Sequence, residues 1–178
     1  MGGVNPPSDP PASLHLILGE EELLVERAVQ AVVEAARRVD PQTEVRRMRA
    51  TDLVVGELDE LVSPSLFAQG RVVVLAAVHE AGKDTADAVL DHARHLATGA
   101  EGIVLVVEHA GGGRGKALAD GLRTAGATIS ECLRISRFED RAGFVRDEVH
   151  RAGGRISAGA VTALLDAVGS DLRELASA

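Results

Sequence analysis

The chain has 178 residues and a formal net charge of −8, and 46% of its residues are hydrophobic. This length is enough for one well-buried domain and part of a second. The negative charge opposes a phosphate backbone, and three Phe with no Trp or Tyr give bases few rings on which to stack. We therefore expect contact with DNA only indirectly, through other proteins. A single cysteine, Cys132, and the lack of an 18-residue apolar run favour a cytoplasmic chain with no membrane partner.

Residues 1–13 predict a disordered leader, because they hold four of the six prolines and few large apolar side chains. Beyond the leader, short apolar runs alternate with segments of helical period. The runs predict strands at 14–18, 44–48, 72–75, 103–107 and 128–133, separated by helices at 20–39, 52–62, 84–97 and 116–125. This alternation predicts an α/β fold over residues 14–136, with a doubly wound, largely parallel sheet covered by helices on both faces.

The pattern changes after Ile135, where β-branched runs end. Segments with helical period follow at 140–151, 157–168 and 171–176, and glycines separate them. We therefore expect residues 137–178 to form a small, all-helical lid domain that is truncated at its end.

The first strand leads into acidic residues where a nucleotide-binding fold would hold phosphates. Gly19 is followed directly by Glu20-Glu21-Glu22, whereas a P-loop requires G-x-x-x-x-G-K-[ST]. Carboxylates at this position repel a phosphate, so we expect neither a bound nucleotide nor ATP hydrolysis here.

A second glycine-rich segment, Ala110 to Ala117, resembles a P-loop in part, since it contains Gly115-Lys116. Ala110 stands where the first glycine is needed, and Ala117 replaces the Ser or Thr that holds Mg²⁺. The segment also follows the fourth strand rather than the first. A loop that caps a helix is the favoured interpretation, and a nucleotide site is the alternative.

The remaining polar residues predict no catalytic or metal site. His92 and His95 lie three apart on one helix, but no Cys, third His or H-E-x-x-H motif accompanies them. The third strand ends in Ala76-Ala77-Val78, which excludes the phosphoacceptor aspartate of a receiver domain. We therefore expect a chain with no catalytic residues, no metal and no cofactor.

The segment from Pro64 to Gly70 presents two adjacent large apolar residues, Leu66 and Phe67, in a short connection. Pro64 and Gly70 mark the two ends of a turn. The two side chains are either packed under the sheet or offered to a partner. The pattern alone favours packing in the core.

Four features together resemble the delta subunits of the bacterial DNA polymerase III clamp loader. They are the opening strand with Gly19-Glu20-Glu21, the turn Ser65-Leu66-Phe67 followed by Arg71, the loop Gly112-Gly113-Arg114-Gly115-Lys116, and Gly169-Ser170-Asp171-Leu172-Arg173-Glu174-Leu175. The resemblance implies an AAA+-like first domain, a helical second domain and a third, collar-forming domain. Relative to that family, we expect the second domain to be incomplete and the third to be absent.

The resemblance also implies a function. Delta subunits do not hydrolyse ATP; they insert an apolar element into the ring-shaped sliding clamp and open it during DNA replication. Transferred to this sequence, Leu66 and Phe67 form the wedge, and Pro64 and Ser65 shape the turn. Pro64 departs from the more hydrophobic residue that often precedes the serine. Arg173 matches a sensor arginine, which we expect to be structural here.

The sequence therefore predicts a non-catalytic clamp-loader delta subunit whose partners are the sliding clamp and other loader subunits. Two alternatives stay open. One is a P-loop-type NTPase that uses the degenerate loop at Lys116. The other is a non-catalytic scaffold domain, in which Leu66 and Phe67 would be buried.

Overall fold

The computed structural model describes residues 11–63, 70–96 and 102–178. The chain divides into two compact units, Met1–Leu133 and Arg134–Ala178. Most of the predicted leader lies outside the described residues. Its last residue, Ser13, makes one side-chain and one backbone hydrogen bond. The Ser13 hydroxyl donates to the Leu96 carbonyl at 2.9 Å, and the Ser13 carbonyl accepts from the Leu105 N–H at 2.8 Å.

Strands and helices alternate through the first unit in the predicted order. The strands are β1 (Leu14–Leu18), β2 (Glu44–Arg49), β3 (Arg71–Ala76), β4 (Ile103–His109) and β5 (Thr128–Glu131). The helices are α1 (Glu22–Val39), α2 (Val55–Leu61), α3 (Lys83–Leu96) and α4 (Lys116–Thr124), with a short 3-10 turn at Val78–Glu80.

The five strands form one sheet in the order β2-β3-β4-β1-β5, and each pairing between them is parallel. The inner strands β3 and β4 are buried along nearly their whole length, as their uninterrupted apolar runs predict. The outer strand β2 is half-polar and largely exposed, which fits its place at the sheet edge. The predicted doubly wound, parallel sheet is thus confirmed.

The strand order also explains which face each helix covers. The chain moves from β1 to one edge of the sheet, and then returns strand by strand in the opposite direction. Right-handed crossovers therefore place α1 on one face and the later helices on the other. One core contains Val29, Val32, Val33 and Ala36 of α1 with Ile17, Val72, Val74, Val104 and Val106 of the sheet. The other core contains Leu58, Val89, Ala93, Leu118 and Leu122 of α2, α3 and α4 with Leu16, Val73, Leu75 and Leu105.

The second unit consists of three helices that contact one another: α5 (Phe138–Arg151), α6 (Ala158–Val168) and α7 (Leu172–Ser177). Side-chain caps begin two of them. The Ala160 N–H donates to the Ser157 hydroxyl at 3.2 Å, and Asp171 accepts from the Arg173 and Glu174 N–H groups at 2.8 and 3.0 Å. The predicted all-helical character of this region is confirmed.

In the part of the chain that the structure describes, no helix has both the length and the apolar character needed to cross a membrane.

Candidate functional site

The carboxyl ends of β1 and β4 form the point at which the sheet changes its winding direction. The chain leaves β1 toward the α1 face and leaves β4 toward the opposite face. Ligands of doubly wound sheets bind in the crevice that such a reversal creates. The chemistry of this fold is therefore decided by the connections that follow these two strands.

The connection from β1 to α1 consists only of Gly19, Glu20 and Glu21. Its backbone is hydrogen-bonded to both neighbouring strands. The Gly19 N–H donates to the His109 carbonyl at 2.9 Å, and the Glu21 N–H donates to the Cys132 carbonyl at 3.0 Å. In a P-loop, backbone N–H groups at this position donate to phosphate oxygens. Here the Gly19 and Glu21 N–H groups donate to backbone carbonyls instead.

Gly19 also lies too close to β5 for any side chain. A Cβ at this position would lie 2.0 Å from the Cys132 carbonyl oxygen, and the φ of Gly19 is 144°. The glycine is therefore required by a close backbone approach, and not by a ligand. Glu20 and Glu22 are exposed beside it, and the Glu22 carboxylate interacts favourably with the dipole of α1. The arrangement stabilises the helix and repels an anion.

The glycine-rich segment after β4 forms a turn that leads into α4. Gly111, Gly112 and Gly115 all have positive φ, and Gly115 is the residue before the helix. The helix starts at Lys116, as predicted, and Ala117 is exposed in its first turn. The interpretation as a loop that caps a helix agrees with this geometry.

Two histidines hold the start of this turn. The Ala110 N–H donates to Nδ1 of His79 at 3.3 Å, and the Gly111 N–H donates to Nδ1 of His109 at 2.9 Å. The two rings have their centroids 5.5 Å apart. Burial lowers the pKa of His109, and the charges of His79 and Arg123 lower it further, against opposing backbone carbonyls of Arg114 and Gly115. Because its Nδ1 accepts the Gly111 N–H, His109 acts in this turn as a structural hydrogen-bond acceptor.

His92 and His95 do not form a metal site with other residues of the described ranges, where no group of three His, Cys, Asp or Glu side chains is placed to hold an ion. Nε2 of His92 instead lies 2.7 Å from Oδ1 of Asp59 and connects α3 to α2. The His92 ring is therefore only partly exposed, and it is hydrogen-bonded to a carboxylate of the neighbouring helix.

The predicted clamp-binding residues Pro64, Ser65, Leu66 and Phe67 lie outside the described residues. The structure does describe the helix that precedes them. Leu58 of α2 is completely buried against the sheet. The helix predicted at 52–62 begins only at Val55, and Val54, directly before its first turn, is 69% exposed.

The other face of α2 is polar, and its acidic residues Glu57, Asp59 and Glu60 are all exposed. Arg173 is exposed in α7, and its N–H takes part in the Asp171 cap. Two further residues with long-range contacts, Asp40 and Arg71, border the segment 64–69. Of these two, only Arg71 is part of the sequence resemblance.

No protein-family model and no curated protein sequence matches the chain. Among solved structures, the Bacillus subtilis DNA clamp loader delta protein is similar, with a TM-score of 0.68 and 14% identity over 93% of this chain and 51% of that protein. The Thermotoga maritima RuvB Holliday junction branch migration motor has a TM-score of 0.55 and 14% identity, over 92% of this chain and 52% of that protein.

Domain III of the Thermotoga maritima replication initiation protein DnaA is also similar, with a TM-score of 0.55 and 13% identity over 96% of this chain and 75% of that one. The chain spans about half the length of the first two proteins. At these identities the likeness establishes the fold alone. The α/β unit therefore has an AAA+-like fold, as the sequence predicts.

Proposed function

We propose that this chain acts in DNA replication as a delta-like clamp-loader subunit, which binds and opens the ring-shaped sliding clamp without hydrolysing ATP. The observation that carries the proposal is the combination of an AAA+-like fold with a β1–α1 connection that is hydrogen-bonded to both neighbouring strands. The Gly19 and Glu21 N–H groups are bonded within the protein, which supports a role that does not depend on a bound phosphate. The apolar segment between α2 and β3, together with the exposed face of α2, supports binding to a protein partner.

The proposed contact is the apolar segment between α2 and β3. Leu66 and Phe67 are its anchors, and Pro64 and Ser65 shape the turn. Burial of a Leu and a Phe contributes about 3 to 6 kcal/mol together, whereas association costs at least about 4 kcal/mol. Two side chains alone are therefore insufficient, and α2 must add contacts.

The exposed face of α2 supplies candidates for these contacts. Asp59 already pairs with His92, so Glu57 and Glu60 are the acidic residues that we assign to polar contacts with the partner. Leu58 anchors the helix to the sheet from its opposite side. The helix and the apolar segment would then meet the clamp together, as a central anchor with a polar rim.

Surface plasmon resonance against the sliding clamp of the same organism tests the proposal. Leu66→Ala and Phe67→Ala should each weaken binding by about tenfold, which corresponds to about 1.4 kcal/mol. Val39→Ala is a matched control, because Val39 is an exposed apolar residue at the end of α1. Lys116→Ala should also leave binding unchanged.

Opening of the ring requires its own measurement. Clamps loaded on circular DNA should be released by the wild-type chain, and released more slowly by the Leu66→Ala/Phe67→Ala double variant. The proposal is wrong if the double variant binds like the wild type, or if the wild type does not bind at tens of micromolar. We further propose that other clamp-loader subunits are partners, and that DNA is reached only through that complex.

A further inference from the structure

Two imidazoles hold the start of the glycine turn, residues 110–115. The Ala110 N–H donates to Nδ1 of His79 at 3.3 Å, and the Gly111 N–H donates to Nδ1 of His109 at 2.9 Å. We infer that His79 and His109 form a pH-sensitive switch. The turn is closed, with both hydrogen bonds formed, while the two rings are neutral, and it opens when they are protonated.

The switch follows from the way in which an imidazole accepts a hydrogen bond. A neutral ring has one nitrogen with a free lone pair and one nitrogen that carries a proton. Because Nδ1 accepts an N–H in both rings, the proton of each neutral ring lies on Nε2. A second proton can bind only at Nδ1, and both nitrogens are then donors. Protonation therefore puts a donor opposite the Ala110 or Gly111 N–H, and the hydrogen bond is lost.

The same two histidines also contact the end of the turn. His109 is only 1% exposed, and a Cβ on Gly115, the residue before α4, would lie 3.0 Å from its Nε2 and 2.9 Å from Cα of His79. Between the two ends, a Cβ on Gly112 or Gly113 would meet no atom within 4 Å. The middle of the turn therefore has space to move, and a shift of either ring displaces both of its ends.

The groups around the pair disfavour a protonated ring while the turn is closed. Burial lowers the pKa of His109, the charges of His79 and of Arg123 on α4 lower it further, and the carbonyls of Gly115 and Arg114 oppose this. The ring centroids are 5.5 Å apart, so one imidazolium repels a second. The carboxylates that neighbour these groups are paired with arginines: Asp120 with Arg123, Glu80 with Arg49, and Glu108 with Arg47.

The direction of the pH dependence follows from the different proton affinities of the closed and open turns. In the open turn the ring of His109 is exposed to water, and its pKa returns toward the ordinary value of 6.5. The closed turn, in which this pKa is lower, binds fewer protons. The open turn is therefore favoured as the pH falls below about 6.5. From about pH 7.5 to about pH 5.5, one imidazole can raise the open fraction by up to about tenfold.

Hydrogen exchange of single amides, followed by NMR, tests the switch. The protection factor of an amide compares its exchange rate with that in an unstructured chain. For Ala110 and Gly111 it should fall by about threefold to tenfold between about pH 7.5 and about pH 5.5. At both pH values it should stay below the protection factors of Val73 and Val74 in β3, since only then is the opening confined to the turn. Constant protection, or protection equal to that of β3, overturns the inference.

The variant His79→Asn separates titration from hydrogen bonding. The asparagine Oδ1 can accept from the Ala110 N–H, but it takes up no proton in this pH range. The fall in protection at Ala110 should therefore be smaller than in the wild type. His150→Asn, which removes an exposed imidazole from α5, is the matched control and should behave like the wild type. If His79→Asn leaves the fall at Ala110 unchanged, the inference is wrong.

NMR of the ring nitrogens gives a second test, which uses the wild-type chain and does not depend on whether a variant folds. At about pH 7.5, both His79 and His109 should carry their proton on Nε2 and none on Nδ1. As the pH falls, Nδ1 of each ring should gain a proton over the range in which the protection of its amide is lost. A proton on Nδ1 of either ring at the higher pH, or protonation without loss of protection, overturns the inference.

Discussion

Replacement of Gly19 with alanine should destabilise the first unit by about 2 to 6 kcal/mol. The added Cβ would lie 2.0 Å from the carbonyl oxygen and 2.2 Å from the carbonyl carbon of Cys132, and 2.7 Å from the backbone nitrogen of Leu133. All three contacts are with backbone atoms. The end of β5 must therefore move, since no side chain can rotate away.

The magnitude follows from what this movement disturbs. The Cys132 N–H donates to the Leu18 carbonyl at 2.7 Å, and the Cys132 carbonyl accepts from the Glu21 N–H at 3.0 Å. Each bond contributes about 0.5 to 1.5 kcal/mol. The positive φ of Gly19 adds about 1 to 3 kcal/mol of backbone strain for alanine. Against a total stability of about 5 to 15 kcal/mol, the loss is large.

Urea unfolding followed by circular dichroism measures this loss. Gly56→Ala is the control, because a Cβ on this glycine in α2 meets no atom within 4 Å, and alanine should stabilise the helix by roughly 0.5 to 1 kcal/mol. A loss of less than about 1 kcal/mol for Gly19→Ala would mean that the β1–α1 connection has space for a Cβ at this position. Backbone atoms would then not fill the phosphate position.

Two further predictions concern pH and nucleotide. Burial lowers the pKa values of His15 and His109 from the ordinary value of 6.5, so the unfolded chain binds more protons than the folded one below that pH. The free energy of unfolding should therefore be at its full value above about pH 6.5 and fall as the pH drops below it. The fall should be smaller in His15→Gln. A stability that is constant or higher at the lower pH would contradict this prediction. Calorimetric titration with Mg-ATP should give no saturable heat, and a phosphate-release assay should find no hydrolysis, whereas micromolar binding that Lys116→Ala abolishes would establish the glycine-rich loop as a nucleotide site.

The sequence predicts most of this fold because the inner strands are defined by burial alone. Val72–Leu75 and Ile103–Val107 are uninterrupted apolar runs, and such runs fit only strands that are covered on both faces. The strand order follows less directly from the sequence, but the alternation of strands and helices limits it to a few parallel arrangements. The structure therefore adds mainly the order of the strands in the sheet and the exact ends of the helices and strands.

The errors and omissions arise where a residue's role depends on contacts distant in sequence. Val54 fits the apolar period of α2 but lies before its first turn, so the period extends one residue too far. His92 lies on a polar helix face, and its pairing with Asp59 depends on how α3 packs against α2. Periodicity also gives no sign that Arg71 reaches the carbonyls of a preceding helix. The predicted anchors Leu66 and Phe67 lie outside the described residues and stay a prediction.

The position of β1 in the sheet has a consequence for the order in which the protein can fold. This strand is synthesised before the other four, yet Leu14 pairs with Leu105, and Leu16 pairs with Val107 and Ile129. On the ribosome, β1 must therefore wait as an unpaired apolar segment until β4 emerges. The adjacent pair β2 and β3 can form earlier, because these strands are neighbours both in sequence and in the sheet.

Sheets built from such distant pairings fold slowly, and their unpaired strands are prone to aggregation. We expect the first unit to acquire stable protection from hydrogen exchange only after β4 is available. Nascent chains that end before Ile103 should remain dependent on chaperones.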